Sequence, residues 1–193
     1  MKAFEIINIG SNLLKDKKIT SHILDSEILL SKTLGKSREK ILTNLNQKID
    51  KKNYLIFKKY VERRSHNEPI AYIMQEKEFW SKKFYVNKET LIPRPETELL
   101  VDRLIKTFYG KKISILDIGT GSGCIIISLL SALNQSSGLG IDISKKAVQI
   151  AKKNALRYKL SFKAKFLNKS VKNIFGRKFD LIVSNPPYIK KKD

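Results

Sequence analysis

The chain has 193 residues, 41% of them hydrophobic, which is enough for one medium-sized domain with a smaller one beside it. No apolar run approaches the roughly 20 residues of a membrane span, and the N-terminus lacks the apolar core of a signal peptide, so we expect a cytoplasmic protein. The one cysteine, Cys124, excludes an internal disulfide, and the two histidines, His22 and His66, belong to no ligand pattern, so we expect no metal site.

The formal net charge of +21 raises the question of a nucleic-acid partner. Lysine dominates this charge, with 32 lysines against 7 arginines, and the basic residues are spread over the whole chain. Arginine is the preferred residue for forked contacts to phosphate, so the pattern favours a solvated basic surface over a dedicated nucleic-acid groove. Proximity to a phosphate-rich partner such as a ribosome remains an alternative.

Residues 1–75 predict a small all-α domain. Apolar residues recur at helical spacing in four segments, 3–17, 23–34, 37–45 and 51–66. Gly35 suits a helix C-terminus, and Asp50 suits the N-cap of the last segment. No catalytic constellation appears in this part, and we expect a docking module.

Residues 76–92 predict a β-hairpin linker. Aromatic and β-branched residues lie on both sides of a Ser-Lys-Lys turn in residues 78–87. The aromatic rings suit either a stacking platform for bases or packing of the hairpin between two domains, and we favour packing. These rings belong to Phe79, Trp80, Phe84 and Tyr85.

The segment L-I-P-R-P-E-T-E-L-L, residues 91–100, leads out of the hairpin. Pro93 and Pro95 hold the chain extended around Arg94. A helix is predicted to begin at Pro95 and Glu96, where acidic residues are favourable.

Residues 93–193 predict an α/β domain with a doubly wound, Rossmann-like sheet. Apolar strands that alternate with amphipathic helices are typical of a parallel sheet with both faces covered. Right-handed crossover connections between these strands then give a doubly wound fold. The predicted strands are 113–119, 138–143, 161–167 and 179–185, and the helices between them are 122–133 and 144–156.

The first of these strands leads into D-I-G-T-G-S-G, residues 117–123, a loop that predicts a cofactor site. Its glycines let the backbone pass close to a ligand just where a helix begins. The next strand ends in Asp142, which can accept both hydroxyls of a ribose. A dinucleotide site has the spacing G-x-G-x-x-G, so that N–H groups hold a pyrophosphate. The spacing here is G-x-G-x-G after Asp117, whose charge repels a pyrophosphate and suits the ammonium group of S-adenosylmethionine.

The last predicted strand leads into S-N-P-P-Y-I, residues 184–189. Two successive prolines end a strand, because neither has an N–H to donate. An asparagine and an aromatic ring are thereby held at the strand tip.

Together these motifs resemble class I S-adenosylmethionine-dependent methyltransferases. The set closely resembles the protein-(glutamine-N5) methyltransferases that modify peptide chain release factors. The stretches that carry this resemblance are E-P-I-A-Y-I (68–73), E-F-W (78–80), L-I-P-R-P-E-T-E-L-L-V (91–101), L-D-I-G-T-G-S-G (116–123) and S-N-P-P-Y-I (184–189).

The resemblance implies a helical domain that helps to bind the release factor, and a substrate glutamine in the factor's Gly-Gly-Gln loop. It implies cofactor contacts from the loop, from the ribose-binding carboxylate and from the strand tip, at Asp117, Gly119, Thr120, Gly121, Ser122, Gly123, Asp142 and Asn185. It implies that the substrate amide meets the N-P-P-Y residues, with Asn185, Pro186 and Tyr188 catalytic and Pro187 part of the substrate site.

The chain departs from the family at two places. The family's acidic residue after the third strand, and the aliphatic or aromatic residue behind it, fall here on Lys169 and Ser170. We expect Ser170 or Asn168 to contact the adenine instead. Family members also continue well past N-P-P-Y-I, so the resemblance implies a C-terminally truncated sheet.

Two other functions stay open at this point. The side-chain oxygen of Asn185 and the backbone carbonyl of Pro186 can accept the two donors of an NH₂ group, and this fits an exocyclic amine of adenine or guanine in RNA or DNA as well as a glutamine amide. The N-P-P-Y motif is also shared with adenine-N6 methyltransferases. A fragment that keeps docking surfaces without catalysis is the third hypothesis.

Overall fold

A computed structural model describes residues 1–174 and 176–186. The chain divides into two compact units, Met1–Met74 and Gln75–Asp193.

The first unit is helical. Its helices are α1 (Ala3–Asp16), α2 (His22–Leu34), α3 (Arg38–Leu42), α4 (Lys51–Ser65) and α5 (Ile70–Met74). The predicted signals at helix ends are confirmed, since Gly35 has a left-handed φ of 60° and the Asp50 carboxylate accepts the N–H of Asn53 at 2.7 Å. The short helix α5 is an addition that the sequence pattern did not predict.

The core of the first unit depends on a close approach of α1 to α2 and α4. A Cβ atom on Gly10 of α1 would lie 2.6 Å from both Phe57 Cζ and Ser26 Oγ, so only glycine fits there. The same helices bury an ion pair, in which Arg64 Nε donates to Asp25 Oδ2 at 2.7 Å.

The second unit begins with the hairpin of β1 (Glu76–Phe79) and β2 (Lys82–Tyr85). Its turn is the residue pair Trp80–Ser81, with φ of 48° and 53°, as a two-residue type I′ turn requires. The predicted Ser-Lys-Lys turn is therefore wrong by one to two residues. Phe79 and Phe84 are buried in the core of this unit, so they are not a surface for stacking bases.

A parallel sheet of four strands follows the helix α6 (Glu96–Phe108). Its strands are β3 (Ser114–Ile118), β4 (Ser137–Asp142), β5 (Ala164–Asn168) and β6 (Leu181–Ser184), and its crossover helices are α7 (Cys124–Ala132) and α8 (Lys145–Arg157). A short 3₁₀ helix, Val171–Asn173, precedes β6. The predicted strands are present, although β5 begins three residues later than expected.

The strand order is β5-β4-β3-β6, which confirms the doubly wound arrangement. The chain moves outward from β3 to β5 and then returns to the other side of β3 with β6. This reversal creates a switch point between β3 and β6, and ligands of such sheets bind outside the carboxyl ends of the strands at that point.

Candidate active site

The carboxyl ends of β3 and β6 lie side by side. In the parallel register Ile118 is opposite Ser184, so the residues that follow, Gly119 and Asn185, leave the sheet at the same level. Neighbouring strands lie about 4.8 Å apart. The glycine loop and the start of the N-P-P-Y motif, which the sequence predicted as two halves of one site, therefore meet at the switch point.

The backbone of the glycine loop is held by the protein itself. The N–H groups of Gly119 and Thr120 both donate to Ile141 O at 2.9 Å, and Gly121 donates to Asp142 Oδ2 at 3.0 Å. The N–H of Gly123 donates to Thr120 O at 2.8 Å. These donors are committed to internal acceptors, so the loop is not built to hold a pyrophosphate as a dinucleotide loop is.

The glycines have two different roles. All three have positive φ, between 55° and 79°. A Cβ on Gly123 would lie 2.9 Å from Ile127 Cδ1 and 3.2 Å from Ala151 Cβ, so this glycine allows α7 and α8 to pack closely. A Cβ on Gly119 would meet open space, and one on Gly121 would meet only Gly119 O at 3.9 Å. These two positions therefore form an open cradle beside the sheet.

Two carboxylates flank this cradle. Asp117 is 1% exposed, and its Oδ2 accepts the hydroxyl of Thr120 at 2.7 Å. Burial raises the pKa of Asp117 to about 6, with a smaller increase from the negative charge of Asp142, while the Thr120 hydrogen bond acts in the opposite direction. A nearby cation would favour the ionised form of this carboxyl group.

Asp142 is half-buried at the end of β4 and is oriented by two backbone donors. Its Oδ2 accepts the N–H of Gly121 at 3.0 Å, and its Oδ1 accepts the N–H of Ser144 at 2.8 Å. A carboxylate oxygen has a second acceptor position, so both oxygens can also accept hydroxyl groups of a ligand.

The strand tip places Asn185 at the sheet edge, half-buried, with Pro186 exposed behind it. Asn185 Nδ2 donates to Thr97 Oγ1 at 3.1 Å. Ser184 Oγ donates to Ile118 O at 3.0 Å and fastens the preceding residue to β3. The other predicted substrate residues, Pro187 and Tyr188, lie outside the described residues.

A buried asparagine that the sequence analysis missed connects the glycine loop to the hairpin. Asn154 of α8 is fully buried, and its Nδ2 donates to Ser122 O at 2.8 Å and to Tyr85 O at 3.0 Å. Its Oδ1 accepts the N–H of Tyr85 at 2.8 Å. The only sequence signal was a polar residue on the apolar face of a helix.

The residues expected near an adenine have structural contacts of their own. Asn168 Nδ2 donates to the backbone oxygens of Asp142 and Ile143, at 3.0 and 2.9 Å. Ser170 Oγ accepts the N–H of Lys172 at 3.4 Å and caps the 3₁₀ helix. An adenine contact from Ser170 stays a prediction.

The side chains at this edge suit a cationic ligand with hydroxyl groups, such as those of a ribose, near the Asn185 amide. Two acidic side chains, together with the internal hydrogen bonding of the Gly119, Thr120, Gly121 and Gly123 N–H groups, disfavour phosphate and suit a positive group. Across the part of the chain that the structure describes, no group of three or more His, Cys, Asp or Glu residues is arranged to hold a metal ion. None of the described helices has the length and apolar character that crossing a membrane requires.

Two protein-family models match most of the chain. Residues 5–74 match the PrmC N-terminal domain, and residues 95–193 match the methyltransferase small domain. The sheet order, the switch-point site and the second match define the second unit as a class I methyltransferase domain.

Curated relatives make the assignment more specific. A release factor glutamine methyltransferase from Buchnera aphidicola subsp. Schizaphis graminum (strain Sg) is 41% identical over 191 residues, covering 97% of this chain and 69% of the relative. The one from Buchnera aphidicola subsp. Acyrthosiphon pisum (strain APS) is 39% identical with the same coverage. The chain belongs to the release factor glutamine methyltransferase family, which confirms the resemblance inferred from the motifs.

Other relatives are longer. A bifunctional methyltransferase of Rickettsia typhi (strain ATCC VR-144 / Wilmington) is 37% identical over 205 residues, and the match covers 96% of this chain but 40% of the relative. The chain thus spans less than half of these bifunctional proteins. Among solved structures, the complex of aTrm5 and tRNALeu has a TM-score of 0.51 at 20% identity, covering 58% of this chain and 32% of that one, which supports the fold alone.

Proposed function

We propose that this chain carries the activity that transfers a methyl group from S-adenosylmethionine to the side-chain nitrogen of a glutamine, in the Gly-Gly-Gln loop of peptide chain release factors. The observation that carries the proposal is the parallel register of β3 and β6, which brings the glycine loop and Asn185 to one sheet edge. Relatives at 39% and 41% identity, both called release factor glutamine methyltransferase, support the substrate.

The residues present fit S-adenosylmethionine. Space beside Gly119 and Gly121 suits the methionine part, and the Asp142 carboxylate suits the ribose hydroxyls. The buried Asp117 suits a cationic ligand, since a positive charge nearby offsets the cost of its ionisation. When bound, S-adenosylmethionine supplies an electrophilic methyl group on a positively charged sulfur.

Asn185 has the central role in the proposed chemistry. A carboxamide nitrogen is a weak nucleophile because its lone pair is delocalised, and its NH₂ offers two donors. Asn185 Oδ1 accepts one donor, and the backbone carbonyl of Pro186 accepts the other. Both hydrogen bonds strengthen as positive charge develops on the nitrogen, so they stabilise the transition state more than the ground state.

The protons and electrons balance without a catalytic base. The nitrogen forms a bond to the methyl carbon, and the sulfur retains the electron pair of the bond that breaks. The nitrogen then loses one proton to solvent, which is fast because an N-protonated amide is a strong acid. We propose that Tyr188 covers the amide plane and that Pro186 and Pro187 stiffen the loop.

The test is methyl transfer from labelled S-adenosylmethionine to a purified release factor. Label is expected on the factor and is expected to disappear when the glutamine of its Gly-Gly-Gln loop is replaced by alanine. Asn185→Ala should lower kcat by about 10²-fold or more, by analogy with the loss of one oxyanion-hole donor. Its dissociation constant for the cofactor, measured by calorimetry, should stay within about twofold because the acceptor role is specific to the substrate.

Two outcomes would contradict this function. Label on bare RNA or DNA and none on the release factor would favour methylation of an exocyclic base amine, which the lysine-rich surface and the N-P-P-Y motif also suit. Cofactor binding that falls as much as turnover in Asn185→Ala would mean that Asn185 serves the cofactor rather than the substrate amide.

Partners and location follow from the same substrate. We propose that the helical unit Met1–Met74 docks the release factor, which the match of residues 5–74 to the PrmC N-terminal domain supports. Release factors act on ribosomes, so we expect a cytoplasmic location, and the basic surface suits proximity to ribosomal RNA.

A further inference from the structure

The proline-rich segment ahead of α6 has a geometry that the proposed cofactor and substrate contacts do not explain. Pro93 is buried, and two backbone hydrogen bonds close the turn, from Thr97 N to Arg94 O at 3.1 Å and from Glu98 N to Pro95 O at 2.9 Å. Prolines have a fixed φ and no N–H, so they restrict the conformations of the backbone that leads into α6. The segment therefore sets the position of Thr97 in the first turn of α6.

Thr97 reaches the strand tip from a distant part of the sequence. Its Oγ1 accepts a hydrogen bond from Asn185 Nδ2 at 3.1 Å, between residues 88 positions apart, and the contact is partly buried. The residue before Asn185 is fastened on the opposite side, where Ser184 Oγ donates to Ile118 O. The strand tip is thus held by β3 through Ser184 and by α6 through Asn185.

The direction of this hydrogen bond matters for an acceptor role. An asparagine amide presents an NH₂ group on one side and an oxygen on the other, and rotation about its last bond exchanges them. With the NH₂ group on Thr97, Oδ1 is left for another donor, and no hydrogen bond to it is seen within residues 1–174 and 176–186. An amide turned the other way would oppose its own NH₂ to the NH₂ of a substrate.

We propose that Thr97 is a positioning residue that fixes the plane of the Asn185 amide, so that Oδ1, on the side opposite the NH₂ group hydrogen-bonded to Thr97, faces the substrate nitrogen. This role rests on the proposed function, in which Asn185 Oδ1 accepts from the substrate amide. It also gives the P-R-P-E-T segment a purpose, because the two prolines hold the turn that presents the hydroxyl.

The first test compares three threonine variants in the methyl-transfer assay. Thr97→Val removes the hydroxyl at constant shape and should lower kcat by about 10- to 100-fold, since small misplacements of a reacting group cost rate on this scale. Thr97→Ser keeps the hydroxyl and should stay within about threefold of the wild type, as hydroxyl rescue requires. Thr107→Val is the matched control on the same helix, because the Thr107 hydroxyl donates to Arg103 O and not to the site.

Cofactor affinity separates positioning from a general structural effect. The dissociation constant for S-adenosylmethionine should be unchanged in all three variants. An unchanged kcat in Thr97→Val, an equal loss in Thr97→Ser, or a parallel loss of cofactor affinity would each overturn the role.

A second measurement does not depend on turnover. In ¹⁵N-labelled protein the side-chain NH₂ signals of Asn185 are identified by their absence in Asn185→Ala. Thr97→Val should move these signals and speed their exchange with water, whereas Thr107→Val should not. If the wild type methylates no substrate, the proposed function fails, but the Asn185 signals still test the hydrogen bond to Thr97. Unchanged signals in Thr97→Val would refute that hydrogen bond.

Discussion

Asp117 is a buried acid in a strongly basic protein. It lies beneath the glycine loop, where the hydroxyl of Thr120 is its close partner at 2.7 Å. Burial is the largest cause of its raised pKa of about 6, so its ionised form is destabilised at neutral pH. A residue with this cost is expected at a functional site, and a cationic ligand above the loop would offset the cost.

Replacing Asp117 by asparagine should change how stability depends on pH. The folded protein holds this proton up to about pH 6, whereas the unfolded chain releases it near the ordinary value of 3.8. Stability from this group is therefore fully present below pH 3.8 and is lost as the pH rises through about 6, by about 3 kcal/mol in all. Urea unfolding of both proteins between pH 4 and pH 8 measures the difference in free energy of unfolding.

That difference should grow in favour of Asp117→Asn as the pH rises and should level off above about pH 7. A constant difference across the range would mean that Asp117 has an ordinary pKa. In the wild type, the affinity for S-adenosylmethionine should fall below about pH 6, because protonation removes the negative charge that we propose stabilises the bound cation. The variant should lose this pH dependence.

At the scale of helices, a buried ion pair joins α2 and α4 in the first unit. The Asp25 side chain is 5% exposed and accepts from Arg64 Nε and from Ser21 Oγ, both at 2.7 Å. Removing one partner of a buried pair leaves an uncompensated charge. The pair therefore specifies how these two helices meet.

Arg64→Ala should destabilise the helical unit by about 3 kcal/mol, because it leaves Asp25 buried without its cation. Arg63→Ala is the control next to it in sequence, since Arg63 pairs with Glu68 at the surface and such pairs contribute at most about 1 kcal/mol. Chemical denaturation followed by circular dichroism measures both. Similar losses in the two variants would show that the burial of Asp25 has no special cost.

Elements with local signals were predictable from the sequence, and those without were not. Caps at Gly35 and Asp50 marked helix ends within a residue or two, because the signal lies in the residue itself. The hairpin turn was misplaced in the prediction. Trp80 and Ser81 adopt a left-handed conformation that glycine or asparagine usually occupies, so the sequence carried no signal for a turn at these two residues. The segment of α5 is five residues long, too short for a periodic pattern.

The site divides in the same way. The positions of the glycine loop after β3 and of Asp142 at the end of β4 were predictable, because strand, turn and helix follow one another along the chain. The contacts of Thr97 with Asn185 and of Asn154 with Tyr85 join residues 88 and 69 positions apart. No local pattern specifies such partners, although Thr97 lies in a segment whose prolines had already indicated a constrained backbone.

At the scale of the molecule, β6 is both the strand that carries Asn185 and an edge of the sheet. Within the described part of the chain it pairs with β3 alone, and Ile182 in its middle is 60% exposed. An apolar strand with unpaired backbone groups is a template for association with another chain. The proposed site and a surface prone to self-association therefore share one element.

We accordingly expect this 193-residue chain to self-associate when it is produced alone, and Ile182→Lys to reduce that association by placing a charge on the edge strand. Size-exclusion chromatography with light scattering, over a range of protein concentrations, gives the mean mass of each variant. Ile143→Lys is the matched control, since Ile143 is 83% exposed but lies in a loop after β4 and offers no strand edge. The expected result is a mass that rises with concentration in the wild type and in Ile143→Lys but stays near that of a monomer in Ile182→Lys. A wild type that is monomeric throughout would contradict self-association. Equal effects of the two lysines would exclude β6 as the associating surface and leave general hydrophobicity as the cause.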